Sequence, residues 1–212
     1  TDQDRVCIPV PLFHCFGCVL GVLAAVTHAA TMVLLETFDP VDVMASVEEE
    51  RCTALYGVPT MFIAVLQHKL FKKFDFSSLR TGIMAGSPCP IEVMRQVIER
   101  MNMSEITICY GLTEASPVIT QTRSDDAVRL RVESVGRAMP GVEVKIVDPD
   151  TGRILAPGEQ GEVCCRGYNV MKGYYNMPEA TAKTIDAGGW LRTGDLGGMD
   201  TDGHLGITGR HK

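Results

Sequence analysis

Tyr110, Gly111, Thr113 and Glu114 fall almost side by side in the run ICYGLTEASPV, residues 108–118. An apolar stretch ends there in an aromatic ring, a bare backbone position, a hydroxyl and a carboxylate. Each has a use in nucleotide chemistry. A phenol ring offers a flat face to a purine, worth about 1–3 kcal/mol by analogy with base stacking. A glycine lets backbone approach a ligand closely, and a threonine hydroxyl can bond a phosphate oxygen. A glutamate is a hard oxygen ligand for Mg²⁺, which keeps several waters and bridges to phosphate. The same letters also suit a strand ending in an ordinary glycine turn, with Glu114 as the first carboxylate of a helix.

Two further runs carry polar groups in glycine-rich surroundings. In AGSPCP, residues 85–90, Gly86 and Ser87 leave backbone exposed and Pro88 fixes a turn. In GWLRTGDLGGMDTDGHLGITGR, residues 189–210, Asp195 is predicted in a glycine-flanked turn. With no close competitor, its carboxylate could accept hydrogen bonds from two vicinal hydroxyls, the geometry of ribose recognition. Arg210, at the end of a predicted strand, could reach ribose or phosphate with its fork. The plainer alternatives are a turn aspartate bonding its own backbone and a surface cation.

The elements that must position these groups come in two styles. Short apolar runs at 6–10, 31–35, 53–58, 81–86 and 105–111 read as strands. Between them, 16–30, 40–52, 59–71 and 90–101 read as helices. The second opens on an Asp39 cap with Pro40 in the first helical position. Such alternation predicts a parallel sheet with flanking helices, its strands apolar because both faces are covered. Ligands of open parallel sheets bind outside the carboxyl ends of strands, where AGSPCP and YGLTE fall. From Ser134 glycines multiply and long helical patterns stop. Strands are expected at 142–148, 162–167 and 204–209, with a short helix at 178–185, in a smaller antiparallel, barrel-like β module. The α/β subdomain is therefore assigned to residues 1–125 and the β-rich one to 126–212.

Composition sets the outer bounds. The chain has 212 residues, 45% hydrophobic and 22% charged, enough for a substantial core. A net charge of −6 argues against a nucleic-acid partner. The purely apolar part of the uncharged N-terminal region, Cys15 to Val26, falls well short of the about 20 residues that span a bilayer. It is expected as a core helix between buried strands. The 8 cysteines show no framework spacing, which predicts reduced, mostly buried thiols and a cytoplasmic location. Cys15 and Cys18 form one C-x-x-C, without the second pair that a zinc site needs. The basic–aromatic run KLFKKFDF, residues 69–76, suggests at most weak peripheral contact with a membrane surface, a solvated helix end being the plainer reading.

Together YGLTEASPV, VGRAMPGVEVKIVD, GEVCCRGYNVMKGYY, GWLRTGDLG and GRHK resemble the core motifs of the adenylate-forming superfamily, in order and along essentially the whole chain. PLFHCFG and YGVPTMF resemble the branch of AMP-forming fatty acyl-CoA synthetases. The resemblance implies a fragment of the large N-terminal domain. It implies that Gly86, Ser87 and Pro88 line the adenine, that Tyr110 stacks on it beside Gly111, and that Thr113 touches the α-phosphate. By the same resemblance Glu114 holds Mg²⁺, Asp195 binds both ribose hydroxyls and Arg210 assists there. His14 would face the acyl carboxylate, unless it is a satisfied core histidine. The acyl chain would lie near Val58, Thr60, Met61, Ala115 and Ser116, although Met61 and Phe62 equally suit plain core.

The implied substrates are ATP, a medium- or long-chain fatty acid and coenzyme A. An aryl-CoA ligase, another adenylate-forming enzyme and a non-catalytic nucleotide-binding module are the alternatives. The superfamily's upstream phosphate loop and its C-terminal domain beyond the GR-x-K hinge have no counterpart in these residues, so the fragment by itself is expected to be inactive.

Overall fold

A computed structural model describes residues 1–210; the Lys212 end of the GRHK motif lies outside the described residues. In chain order the strands are β1 (Arg5–Ile8), β2 (Thr31–Leu34), β3 (Ala54–Gly57), β4 (Thr81–Ala85), β5 (Glu105–Gly111), β6 (Val118–Gln121), β7 (Arg137–Ala138), β8 (Val142–Val147), β9 (Gly161–Gly167), β10 (Leu191–Met199) and β11 (Leu205–Arg210). They form a mostly parallel seven-stranded sheet, β2-β1-β3-β4-β5-β6-β7, and a four-stranded antiparallel sheet, β11-β10-β9-β8. The fold is α/β. The chain divides into two compact units, Thr1–Ile108 with Ser124–Asp126, and Cys109–Arg123 with Ala127–Lys212.

In the first unit, β1 pairs in parallel with β2 and β3, and β3 with β4. Helices follow the strands as the sequence predicts: α1 (Ala24–Thr27), α2 (Pro40–Glu49), α3 (Pro59–Gln67) and α4 (Ile91–Arg100). The Asp39 carboxylate accepts from the backbone N–H of Val41 and Asp42, and Pro40 takes the first turn, where its missing N–H costs nothing. Between strands and helices lies a methionine-rich core in which Met44, Met84, Met94, Met101 and Met103 have no exposed surface. The flexible thioether fills irregular gaps that branched side chains cannot.

Residues 16–30 differ from expectation. They form a π-helical stretch, Phe16–Leu23, that runs into α1. Only one side of it is covered. Phe16, Gly17, Gly21 and Ala25 are buried, while Leu23 and Val26 stay more than half exposed, as does Phe13 just before them. Its two buried glycines allow the close packing, since a Cβ at Gly17 would sit 2.3 Å from the Pro11 carbonyl oxygen and one at Gly21 3.1 Å from the Ile8 side chain. This is not a core helix wrapped by strands. Nor is every strand covered on both faces: β2 lies at the sheet edge, with Thr31 and Leu34 exposed.

In the second unit, β5 ends in an antiparallel hairpin with β6, which pairs with β7. A short helix, α5 (Val128–Glu133), precedes β7, and α6 (Pro178–Thr184) joins β9 to β10. The antiparallel module expected from the sequence is present, as an open sheet rather than a closed barrel, with β11 and β8 at its edges. Its core packs Ala115, Ile119, Val142, Cys165 and Leu191 together.

None of the eight cysteines is in a disulfide; Cys7, Cys52, Cys109, Cys164 and Cys165 are buried and Cys18 is exposed. No helix of the described residues is long and apolar enough to cross a membrane. The basic–aromatic run turns its aromatics inward. Phe71 and Phe76 are buried and stack at 4.8 Å, leaving Lys72 and Lys73 outside.

Candidate functional site

The second unit holds eight of the singled-out residues, Tyr110, Gly111, Thr113–Ser116, Asp195 and Arg210, and the local chain explains how. β10 pairs with β9 at Leu191 and Arg192, loses register, and resumes at Leu196. Thr193, Gly194 and Asp195 occupy the gap. Such a bulge bends the strand and re-aims a side chain. Thr193 is buried and its hydroxyl donates to the Val163 carbonyl at 2.8 Å, while the same oxygen accepts from Asp195 N–H at 3.1 Å. Gly194 takes φ +73°, the left-handed region that favours glycine, and its N–H donates to Glu162 Oε1 at 3.1 Å. Glu162 is buried and also accepts from Arg192.

Asp195 is thus a strand residue rather than the turn residue the sequence suggested, because β11 supplies a ladder partner that the surrounding glycines hid. Its carboxylate is not free of competitors either. The Tyr110 hydroxyl donates to Oδ2 at 2.8 Å, and Arg210 Nε lies 3.2 Å from Oδ1. Asp195 and Arg210 are direct partners in the β10–β11 register. The carboxylate is sheltered, at 16% exposure, while Arg210 keeps 69% of its side chain exposed. The turn-aspartate alternative does not survive, whereas Arg210 remains a surface cation, one paired with Asp195. The Tyr110 phenol pKa is raised above its ordinary value, first by burial and then by the Asp195 carboxylate, against an opposing hydrogen bond with Thr193. Part of its ring packs on the core around Ala115 and Val142.

Glu114 lies in a single 3-10 turn, Thr113–Ala115, straight after β5. Its Oε1 accepts from the Tyr174 hydroxyl at 2.8 Å. Its backbone carbonyl accepts from Met171 N–H at 2.8 Å. Thr113 and Ser116 are exposed, while Ala115 is fully buried in the core of its own unit. Gly111 is required by the chain itself: a Cβ there would fall 1.8 Å from the Pro117 carbonyl oxygen. The hairpin, before any ligand, accounts for this glycine.

The remaining candidates belong to the first unit. His14 is exposed, and its Nδ1 accepts from Phe16 N–H at 3.1 Å, so it is not a core histidine. Val58 and Met61 are half-buried and Thr60 is exposed at the start of α3. Phe62 is core. Met61 and Phe62 line an apolar cavity of ≈ 10 Å³ with Val43, Leu55 and Val65. Gly86, Ser87 and Pro88 are exposed after β4, with Gly86 at φ +90°. His14, Val58 and Gly86 therefore all follow carboxyl ends of the parallel strands β1, β3 and β4, the side where open α/β sheets bind ligands.

The profile of the AMP-binding enzyme family matches residues 1–175. The chain belongs to that family. Among relatives of this chain, the putative acyl-CoA synthetase YngI of Bacillus subtilis (strain 168) is 63% identical over 212 residues, all of this chain and 39% of YngI. The mitochondrial medium-chain acyl-CoA ligase ACSF2 of Bos taurus is 41% identical over 212 residues, all of this chain and 34% of ACSF2. The ATP-bound crystal structure of MatB from Rhodopseudomonas palustris superposes with a TM-score of 0.88 at 30% identity, covering all of this chain and 41% of MatB. The chain thus spans well under half the length of these relatives.

The AMP-binding family's ligands can be tested against the side chains present. Among the described residues each oxygen of Asp195 has one partner, Tyr110 on Oδ2 and Arg210 on Oδ1. A carboxylate oxygen carries two lone pairs, so acceptor capacity for hydroxyl donors remains. Glu114 Oε1 is engaged by Tyr174, and among the described residues Oε2 has no hydrogen-bond donor. One such carboxylate suits Mg²⁺, which takes one or two protein carboxylates alongside phosphates and water. The residues fit both groups. A different trio at ligand spacing, Asp200, Asp202 and His204, is held within a turn. There Asp200 Oδ1 accepts from Asp202 and His204 N–H, and His204 Nε2 accepts from Arg137.

Tyr174 and Thr193 are the residues that sequence reasoning passed over. Tyr174 stands in the quoted motif MKGYY, but nothing in the motif says that it reaches Glu114, 60 positions away.

Proposed function

We propose that the full-length protein is an ATP-dependent, AMP-forming acyl-CoA synthetase that converts a medium- or long-chain fatty acid, through its acyl-adenylate, into the coenzyme A thioester. The observation that carries this reading is the Tyr110–Asp195–Arg210 cluster. It holds a sheltered carboxylate with unused lone pairs beside an aromatic ring and an exposed guanidinium, a set suited to an adenosine ribose. The relatives named as acyl-CoA ligases support the reaction class, and ACSF2 supports the medium-chain assignment.

In this reading Asp195 accepts from the ribose hydroxyls and Arg210 reaches ribose or phosphate. The Tyr110 ring and Gly111 stand against the adenine, with Gly86, Ser87 and Pro88. Thr113 donates to an α-phosphate oxygen, and Glu114 holds Mg²⁺. When bound, Mg²⁺ neutralises charge that builds on the phosphates. A fatty carboxylate oxygen attacks the α-phosphorus and pyrophosphate departs; His14 orients that carboxylate. Coenzyme A thiolate then attacks the acyl carbonyl and AMP leaves. Val58, Thr60, Met61 and the Ala115–Ser116 turn border the acyl chain.

The test is acid-dependent pyrophosphate release by the full-length protein, with straight-chain acids from acetate to stearate and with benzoate and cinnamate. A maximum among medium or long chains, with AMP and acyl-CoA as products, is the expected result. A maximum with an aromatic acid replaces the fatty substrate with an aryl one. ATP binding without turnover on any acid makes the protein a nucleotide-binding module.

A further inference from the structure

The segment MKGYY has no role in the reaction as described, yet it grips the Glu114 residue twice. Met171 N–H donates to the Glu114 carbonyl and the Tyr174 hydroxyl to Glu114 Oε1, each at 2.8 Å. Main chain and side chain of one residue are thus fixed by one strap. The strap is itself anchored. Tyr174 N–H donates to Thr181 Oγ1 at 2.9 Å, and that hydroxyl donates to the Met177 carbonyl at 2.9 Å. Gly173, at φ +147°, lies so close to Thr181 that a Cβ would meet its Cγ2 at 2.7 Å. The two adjacent tyrosines divide: Tyr174 is turned in to Glu114, whereas Tyr175 is 91% exposed.

We infer that Tyr174 is a positioning residue for metal-bound nucleotide: its hydroxyl clamps Glu114 Oε1 so that Oε2 is presented to the divalent cation that accompanies ATP. This rests on the proposed role of Glu114. A glutamate on a single turn otherwise samples several rotamers, and freezing one before the metal arrives removes that entropy from the binding step. Partners that orient a metal ligand typically matter by about 10–100-fold in metal affinity.

The experiment measures ATP affinity of the full-length protein by calorimetry, in Mg²⁺ and in EDTA, for wild type, Tyr174→Phe, Tyr175→Phe, Glu114→Gln and the Tyr174→Phe/Glu114→Gln double variant. Tyr174→Phe is expected to weaken binding about tenfold in Mg²⁺ and to leave it unchanged in EDTA. Tyr175→Phe is expected to match wild type in both. The double variant is expected to lose no more than Glu114→Gln alone, since Tyr174 acts through that carboxylate. Mn²⁺ paramagnetic resonance of the ATP complex gives a second readout, in which Tyr174→Phe should release more free Mn²⁺. Equal losses in Mg²⁺ and EDTA, or a Tyr174→Phe variant that binds Mg–ATP like wild type while Glu114→Gln does not, would overturn the inference and leave the role of Glu114 standing. A Glu114→Gln variant indistinguishable from wild type removes both.

Discussion

The Tyr110 hydroxyl donates to Asp195 Oδ2 at 2.8 Å across 85 positions of sequence. The bond ties the end of β5 to the bulge in β10, and it sets a stability expectation. Tyr110→Phe keeps the ring and its packing and removes the hydrogen bond to the charged Asp195 acceptor together with the contact to Thr193. Such bonds contribute about 1.5–3 kcal/mol. Asp195 retains Arg210, so the loss should fall near the lower end. Urea unfolding should show a lower midpoint with an unchanged slope. An unchanged midpoint would mean that water replaces the phenol at no cost.

Asp195 offers a sharper test of nucleotide recognition. If its remaining lone pairs accept from ribose hydroxyls, wild-type full-length protein should bind ATP more tightly than 2′-deoxy-ATP and 3′-deoxy-ATP. A margin of about tenfold corresponds to 1.4 kcal/mol, within the range of a hydrogen bond to a charged group. Asp195→Ala should weaken ATP and erase the difference among the three nucleotides. Weakening all three equally while keeping their ranking would assign ribose recognition to another residue.

Alkaline pH probes the same phenol. Burial first, then Asp195, raise the Tyr110 pKa in the folded state, while an unfolded tyrosine titrates near about 10. The unfolded chain therefore loses its proton first, and the folded state binds more protons above that point. Stability contributed by Tyr110 is complete below pH about 10 and is lost as pH rises beyond it. Tyr174, also raised, adds to the same slope. Denaturation midpoints between neutral and strongly alkaline pH should fall on the high side, and Tyr110→Phe should flatten that limb. A limb of unchanged steepness in Tyr110→Phe would assign it to other groups.

Those contacts also mark where the sequence stopped being readable. The parallel strands and their helices were legible because their signals are local: apolar runs of strand length, the Asp39 cap, and Pro40 and Pro59 at helix starts. β10 was not, since Thr193, Gly194, Gly197 and Gly198 have the composition of a turn. Its strand character comes from pairing with β9 and β11, which the composition around Asp195 does not announce. β6 and β7 are too short to announce themselves. At the site, Tyr110, Asp195 and Arg210 were picked out by motif, but their mutual contacts were invisible. The carboxylate pictured as open to ligand is already held by a phenol and a guanidinium. Tyr174 was missed because its target lies 60 positions upstream.

Gly111 separates ligand access from chain packing. Backbone freedom for an approaching purine and backbone freedom for the β5–β6 hairpin are different demands on one residue. The geometry makes the second one strict. A Cβ at Gly111 would lie 1.8 Å from the Pro117 carbonyl oxygen and 3.1 Å from Ile119 N, all of it backbone that cannot rotate away. Gly111→Ala must therefore spread the hairpin, displacing the turn that carries Thr113 and Glu114. Forcing one extra methyl into a packed site costs about 1–3 kcal/mol, and thermal or urea unfolding should register it without any nucleotide present. Gly86 is the contrast. A Cβ there meets only Val58 Cγ1, at 3.1 Å, so its constraint is the φ of +90°. Alanine there should cost about 1 kcal/mol or somewhat more, from backbone strain alone. If Gly111→Ala proves as stable as wild type and weakens only ATP, then this glycine serves the ligand first and the hairpin relaxes more readily than its close contacts indicate.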